Sequence, residues 1–191
     1  MGAFTGEAKN EQMKKAGELA KFVGVGGSTT ISPEASAAGS KFKKTAHGLA
    51  NGTILVPTSL SGGAGLVSGR VYRVVNATAN EFELSVTSGG AAESWTTTLE
   101  AASVFAVITE HTGAKTKRKA TSFGAPSKGV VVDSTAHEIE MSGTVTVRWA
   151  LYFTEETAGT LIAVSEVTEK PLSEADIYRL TEGKLEENGL A

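Results

Sequence analysis

The sequence contains no cysteine. Disulfide staples and thiolate metal sites are thereby excluded, and no redox compartment can be read. Aromatic residues make up 6% of the chain, with only two tryptophans, so few large rings are available to line a deep ligand cleft. Three histidines occur, His47, His111 and His137. They lie far apart in sequence, beside strand edges or turns, whereas a metal site needs several such ligands converging with carboxylates. Neither a metal nor a cofactor is expected. No run approaches the ~18 apolar residues of a membrane span. The start of the chain has no basic region followed by an apolar core, so no secretory signal is expected, and synthesis and assembly in the host cytoplasm are. The formal net charge is only -3, so no field of one sign draws the chain to nucleic acid or to a membrane.

What is present is globular: 191 residues, 40% hydrophobic and 20% charged, with 22 glycines. A core of Val, Ile, Leu and Ala with few rings suits a thin β-sandwich. Its modest burial per residue makes oligomerisation a route to added stability.

The spacing predicts one helix, over Ala8 to Phe22, with Met13, Ala16, Leu19 and Ala20 on one stripe and Asn10 or Thr5 as cap. Gly17 weakens it by about 1 kcal/mol relative to alanine, so docking must support it. Gly24, Gly26 and Gly27 are expected to end it. Ser32 to Ser40 is a linker by composition. Between His47 and Gly90, three short alternating runs (Thr53 to Val56, Arg70 to Val75, Glu81 to Val86) are separated by Gly and Asn punctuation, the signature of a small antiparallel sheet. Strand patterns resume at Val104 to Thr109, Gly129 to Asp133, His137 to Met141, Thr144 to Phe153, Thr160 to Val164 and Ile177 to Leu180.

Two resemblances overlie this reading. The stretch His47-Gly48-Leu49-Ala50-Asn51-Gly52, with Arg70-Val71-Tyr72-Arg73-Val74-Val75-Asn76-Ala77 and Phe82-Glu83-Leu84-Ser85, resembles a β-module that recurs in bacteriophage virion proteins. The flanks carry the second. Lys9-Asn10-Glu11-Gln12-Met13 leading into Lys21-Phe22-Val23-Gly24-Val25, Arg118 to Gly129, and Leu151-Tyr152 with Thr157-Ala158-Gly159-Thr160-Leu161 resemble a family of small phage tail-fibre-like proteins. That family has a "His-Thr-Ala-Asp-Pro-Gly" turn where this chain has Gly24-Val25-Gly26-Gly27-Ser28, which puts the pairing of the first strand in question. The resemblances imply a discontinuous β-sandwich-like base, residues 1–37 and 103–191, with a β-module, 38–102, threaded into one of its loops. They supply no catalytic residues.

The residues themselves offer little chemistry. Gly24-x-Gly26-Gly27 is half of a phosphate-cradling loop, but Thr29 stands where the third glycine belongs. Lys115, Lys117, Arg118 and Lys119 form the one basic cluster. No aromatic residue interleaves it, and on a strand Lys115, Lys117 and Lys119 would share one face, where charge blocks unwanted edge pairing. Glu155-Glu156 and Glu186-Glu187 are neighbours rather than carboxylates converging across a cleft. Along Trp149 to Tyr152, one alternating pair is expected in the core and the other against a neighbour, and Tyr72 with Phe82 as cross-strand core partners.

The expectation is therefore a mainly-β fold, β-sandwich-like at the base, with one N-terminal helix and an inserted antiparallel module. The expected role is non-enzymatic: a virion structural protein, a minor tail or tail-fibre-like component. It would assemble as a homo-oligomer, possibly a trimer, held by tail or capsid subunits and not by nucleic acid or membrane. Met13, Leu19, Lys117, Lys119, Trp149 and Tyr152 are the candidate interface residues. A capsid decoration protein is one alternative. A host-glycan binder using Trp95 or Tyr72 is another.

Overall fold

The structure, a computed structural model, describes residues 6–181 and 183–186. Thr5 and residues 187–191, about which the sequence raised expectations, lie outside them. The chain is mainly β, with a single N-terminal helix and antiparallel strand pairing. In order the elements are α1 (Gly6–Leu19), β1 (Phe22–Ile31), β2 (Phe42–Lys43), β3 (Ile54–Ser59), β4 (Tyr72–Val75), β5 (Glu81–Ser85) and β6 (Val104–Glu110). There follow β7 (Lys119–Ala120), β8 (Val130–Asp133), β9 (His137–Glu140), β10 (Val145–Phe153), β11 (Leu161–Leu172), β12 (Ile177–Leu180) and β13 (Gly183–Glu186).

The chain divides into two compact units, with the boundaries at Gly27/Ser28 and Ile108/Thr109. Residues 28–37 and 103–108, assigned to the base from composition, fall in the second unit. The Ser32 to Ser40 stretch is no linker: Glu34, Ser36 and Gly39 make antiparallel bridges to Lys43, Leu99 and Trp95. Small residues there serve close strand pairing rather than looseness.

In the first unit β10 is central, pairing with β11 on one side and β1 on the other, and β7 pairs with the start of β1. Val23, Val25, Val147, Ala150, Tyr152 and Ala163 of this sheet share a core with α1 and with two separate ribbons, β8–β13 and β9–β12. The helix contributes Met13, Ala16 and Ala20. Leu19, expected on the same stripe, is 42% exposed, because the buried face is as narrow as the 13–16–20 row. Gly17 gives the helix its close approach: a Cβ there would stand 3.2 Å from Phe123 Cβ and 3.5 Å from Val131.

The helix ends at Leu19, earlier than expected. Lys21 N–H then donates to Phe153 O, which starts the ladder of β1 on β10. Asn10 lies inside the helix instead of capping it, and its Oδ1 accepts the Gly129 N–H at 2.8 Å. Gly24, Gly26 and Gly27 terminate nothing: all three are in β1. A Cβ on Gly26 would lie 2.6 Å from Thr109 O and 2.7 Å from Leu151 Cδ1, and one on Gly27 2.8 Å from Thr146 O. These glycines let neighbouring backbone and side chains close over the strand.

In the second unit the strands run in the order β6-β3-β4-β5-β2. Phe42, Leu55, Tyr72, Phe82, Trp95 and Phe105 are among its core residues. Phe82 is opposite Phe42, not Tyr72, and the two rings stack at 5.1 Å; Tyr72 faces Leu55.

Candidate functional site

Four polar constellations stand out, three in the first unit and one in the second. The first is built on Arg118. Its Nε and Nη2 each donate at 2.8 Å to one oxygen of Glu110, its Nη1 donates to Glu155 O at 2.9 Å, and its Cζ lies 3.3 Å from the centre of the Phe153 ring. A bidentate pair stacked on an aromatic face is a use that lysine would not fill. Gly24 makes room for it, since a Cβ there would stand 2.7 Å from Glu110 Oε1. The pair floors a cleft of about 410 Å³ edged by Thr112, Lys117 and the Glu156-Thr157-Ala158 turn. The guanidinium's charged fork is already committed, so the cleft offers a ligand little beyond the Lys117 ammonium.

The second is buried. Asp133 Oδ2 meets His137 Nε2 at 2.7 Å and Asp133 Oδ1 accepts the Thr135 N–H at 3.0 Å. Both side chains are almost wholly inaccessible, so they tie β8 to β9 and carry no open face for a reactant. Tyr152, from β10, lies beside them. Burial raises its pKa, the Asp133 charge adds to the rise, and the Lys184 amide opposes it. The Tyr152 hydroxyl has no hydrogen-bond partner among the described residues. Gly183 is glycine because a Cβ would come within 2.5 Å of that hydroxyl.

The third is a groove of about 500 Å³ between residues 165–170 of β11 and residues 178–184, with Tyr152 and Tyr178 in its lining. β11 is the end strand of its sheet, so its outer main-chain edge has no ladder partner among the described residues. The β10–β11 register jumps from Val147↔Lys170 to Trp149↔Glu166, leaving Val167, Thr168 and Glu169 opposite Arg148 alone. This bulge bends β11 beside the groove. Arg148 pairs with Glu166 and Glu169, and Arg179 with Glu138. Lys170 and Lys184 have no ion-pair partner among the described residues.

The fourth lies in the second unit and accounts for the module's motif. His47 Nδ1 accepts the Leu49 N–H at 2.9 Å, its Nε2 lies 3.3 Å from Glu81 O, and its ring meets Phe82 edge-on at 5.1 Å. An accepting Nδ1 requires the proton on Nε2, so His47 is the neutral Nε2–H tautomer, donating to Glu81 O. Asn51 Oδ1 accepts from Ala77 N and Asn80 Oδ1 from Ala46 N. Glu83 accepts from the Asn76 amide and the Ser40 hydroxyl, which lower its pKa. The conspicuous motif residues thus pin loops to one another.

The structure scatters the residues expected at an interface. Met13, Trp149 and Tyr152 are buried within the chain itself, so no second copy touches them while the fold is intact. Along Trp149 to Tyr152 both alternating pairs are buried: Ala150 and Tyr152 in the shared core, Trp149 and Leu151 on the sheet's other face. Leu19, Lys117 and Lys119 are exposed. Lys115, Lys117 and Lys119 do alternate outward, with Thr116 buried and Arg118 partly so, and Lys115 pairs with Glu140 at 3.0 Å. Trp95 and Tyr72 are 2% and 1% exposed, which removes both as stacking platforms for a sugar ring. Among the described residues no three His, Asp or Glu side chains cluster as a metal site.

Sequence reasoning missed the Glu110–Arg118–Phe153 stack, the Asp133–His137 pair and the β11 groove. Asp133 and His137 sit four apart, a spacing that reads as meaningful only on a helix, whereas here a turn joins two strands. No family model matches the chain, and neither a curated protein nor a solved structure does.

Proposed function

We propose that the chain is a non-enzymatic structural component of a phage virion, a minor tail or tail-fibre-like protein working as a homo-oligomer. The observation that supports it is the use to which its recognisable motifs are put. His47, Asn51, Asn76 and Asn80 lock the loops of the second unit. Leu151 to Leu161 form the β10–β11 hairpin, closed by Thr160 N–H on Thr154 Oγ1. The polar groups that a reaction would need are spent on architecture. Such a protein acts through its surface, by contacts with tail subunits and with its own copies.

Quantitative mass spectrometry of particles of the phage that encodes the chain tests this. A few to a few dozen copies per particle is the expected result. A copy number near that of the major capsid protein, or a simple lattice fraction of it, would instead favour capsid decoration. Absence of the chain from purified particles would sink both.

A further inference from the structure

We propose that the groove between β11 and residues 178–184 seats an extended, acidic main-chain segment of a partner protein subunit, which adds to β11 as a strand. The inference does not depend on which particle, if any, the chain belongs to. The first argument is main-chain valence. The outer edge of β11 is unladdered, and at residues 167–169 the bulge also takes the strand off its β10 register. Exposed N–H and C=O groups in a row select an extended peptide over a compact ligand. The second is the Tyr152 hydroxyl, wholly buried in the groove lining without a partner. A buried donor of this kind is costly unless satisfied, and a carbonyl or carboxylate of an incoming segment supplies the missing acceptor.

The third is charge. Glu166 and Glu169 are matched by Arg148, and Glu138 by Arg179. The charges left over on the rim are the ammonium groups of Lys170 and Lys184, so the groove complements acidic side chains. Pro171, just beyond on β11, lacks an N–H to give and limits the register to the residues before it.

The test uses the full isotopically labelled chain and a capped hexapeptide of alternating glutamate and valine. Amide shifts and slowed hydrogen exchange are expected at Ser165 to Lys170. The double variant Lys170→Glu with Lys184→Glu is expected to weaken binding roughly tenfold. Two control peptides keep the outcome independent of protein folding. A lysine–valine counterpart should bind far more weakly, and a version N-methylated along its backbone should not bind. If the chain already self-associates through this groove, the same amides are protected without peptide and the double variant releases monomers, which identifies a second copy as the donor. No binding at millimolar peptide by a monomeric chain, equal binding of the lysine or N-methylated peptide, or shifts confined to other strands would overturn the proposal.

Discussion

Single atoms decide several positions in this chain. Gly26 is the sharpest case, with Thr109 O and Leu151 Cδ1 both inside 3 Å of where a Cβ would sit. Gly26→Ala should cost about 1–3 kcal/mol through overpacking. Gly124→Ala, whose nearest atom would be Val132 O at 3.8 Å, is the matched control and should be near neutral. Urea midpoints compare them, and equal midpoints would refute the close-approach account. The Asp133–His137 pair is the second case. His137→Ala leaves a wholly buried carboxylate without its ring partner, at a cost of about 3–5 kcal/mol. A loss under 1 kcal/mol in the same assay would mean that the carboxylate finds another donor.

Glu83 sets a pH dependence. Its folded-state pKa is lowered, first by the Asn76 amide and then by the Ser40 hydroxyl. A group depressed on folding stabilises above its unfolded value, about 4.3, and that contribution is lost as pH falls through the lower folded value. Glu83→Gln should therefore lower the melting temperature at pH 6 and make progressively less difference toward pH 3. A gap that stays constant over that range would show that Glu83 acts through packing and not through its charge.

Among the elements, α1 separates pattern from packing. Met13 is 1% exposed and Leu19 42%, although both belong to one apolar stripe in the sequence. Met13→Ala should cost about 2–5 kcal/mol and Leu19→Ala less than about 0.5 kcal/mol, read by thermal melting. Comparable losses would place Leu19 in a contact that the single chain does not show. The strands of the second half were legible because β-runs such as Val145–Phe153 are long and apolar. The glycines of β1 were misread. Glycine after a helical pattern usually signals a C-cap, and only the atoms crossing the strand from Glu110, Leu151 and His111 explain its presence inside a strand.

For the whole molecule, the functional proposal carries a thermodynamic consequence. If the chain works as a homo-oligomer, its melting temperature should rise with protein concentration, by mass action. An unchanged melting curve over a hundredfold dilution, together with a monomeric mass, would count against self-assembly. Lys117 and Lys119 are exposed and remain possible rim positions, whereas Met13, Trp149 and Tyr152 are committed to internal packing. Interface searches by mutation therefore belong on the β11 groove and the exposed α1 surface.

Composition and hydrophobic period were enough to establish a mainly-β chain with one N-terminal helix, because both are local properties that a window of residues carries by itself. They also marked two stretches of distinct pattern along the chain. The unit boundaries, the partners of Asp133 and Arg118, and the unladdered edge of β11 were decided by tertiary structure alone. Each depends on residues far apart in sequence, as Glu110 and Arg118 do on Phe153 and Gly24. A one-dimensional pattern records which residues are apolar. It does not record which strand lies last in a sheet or which charge has been left without a partner.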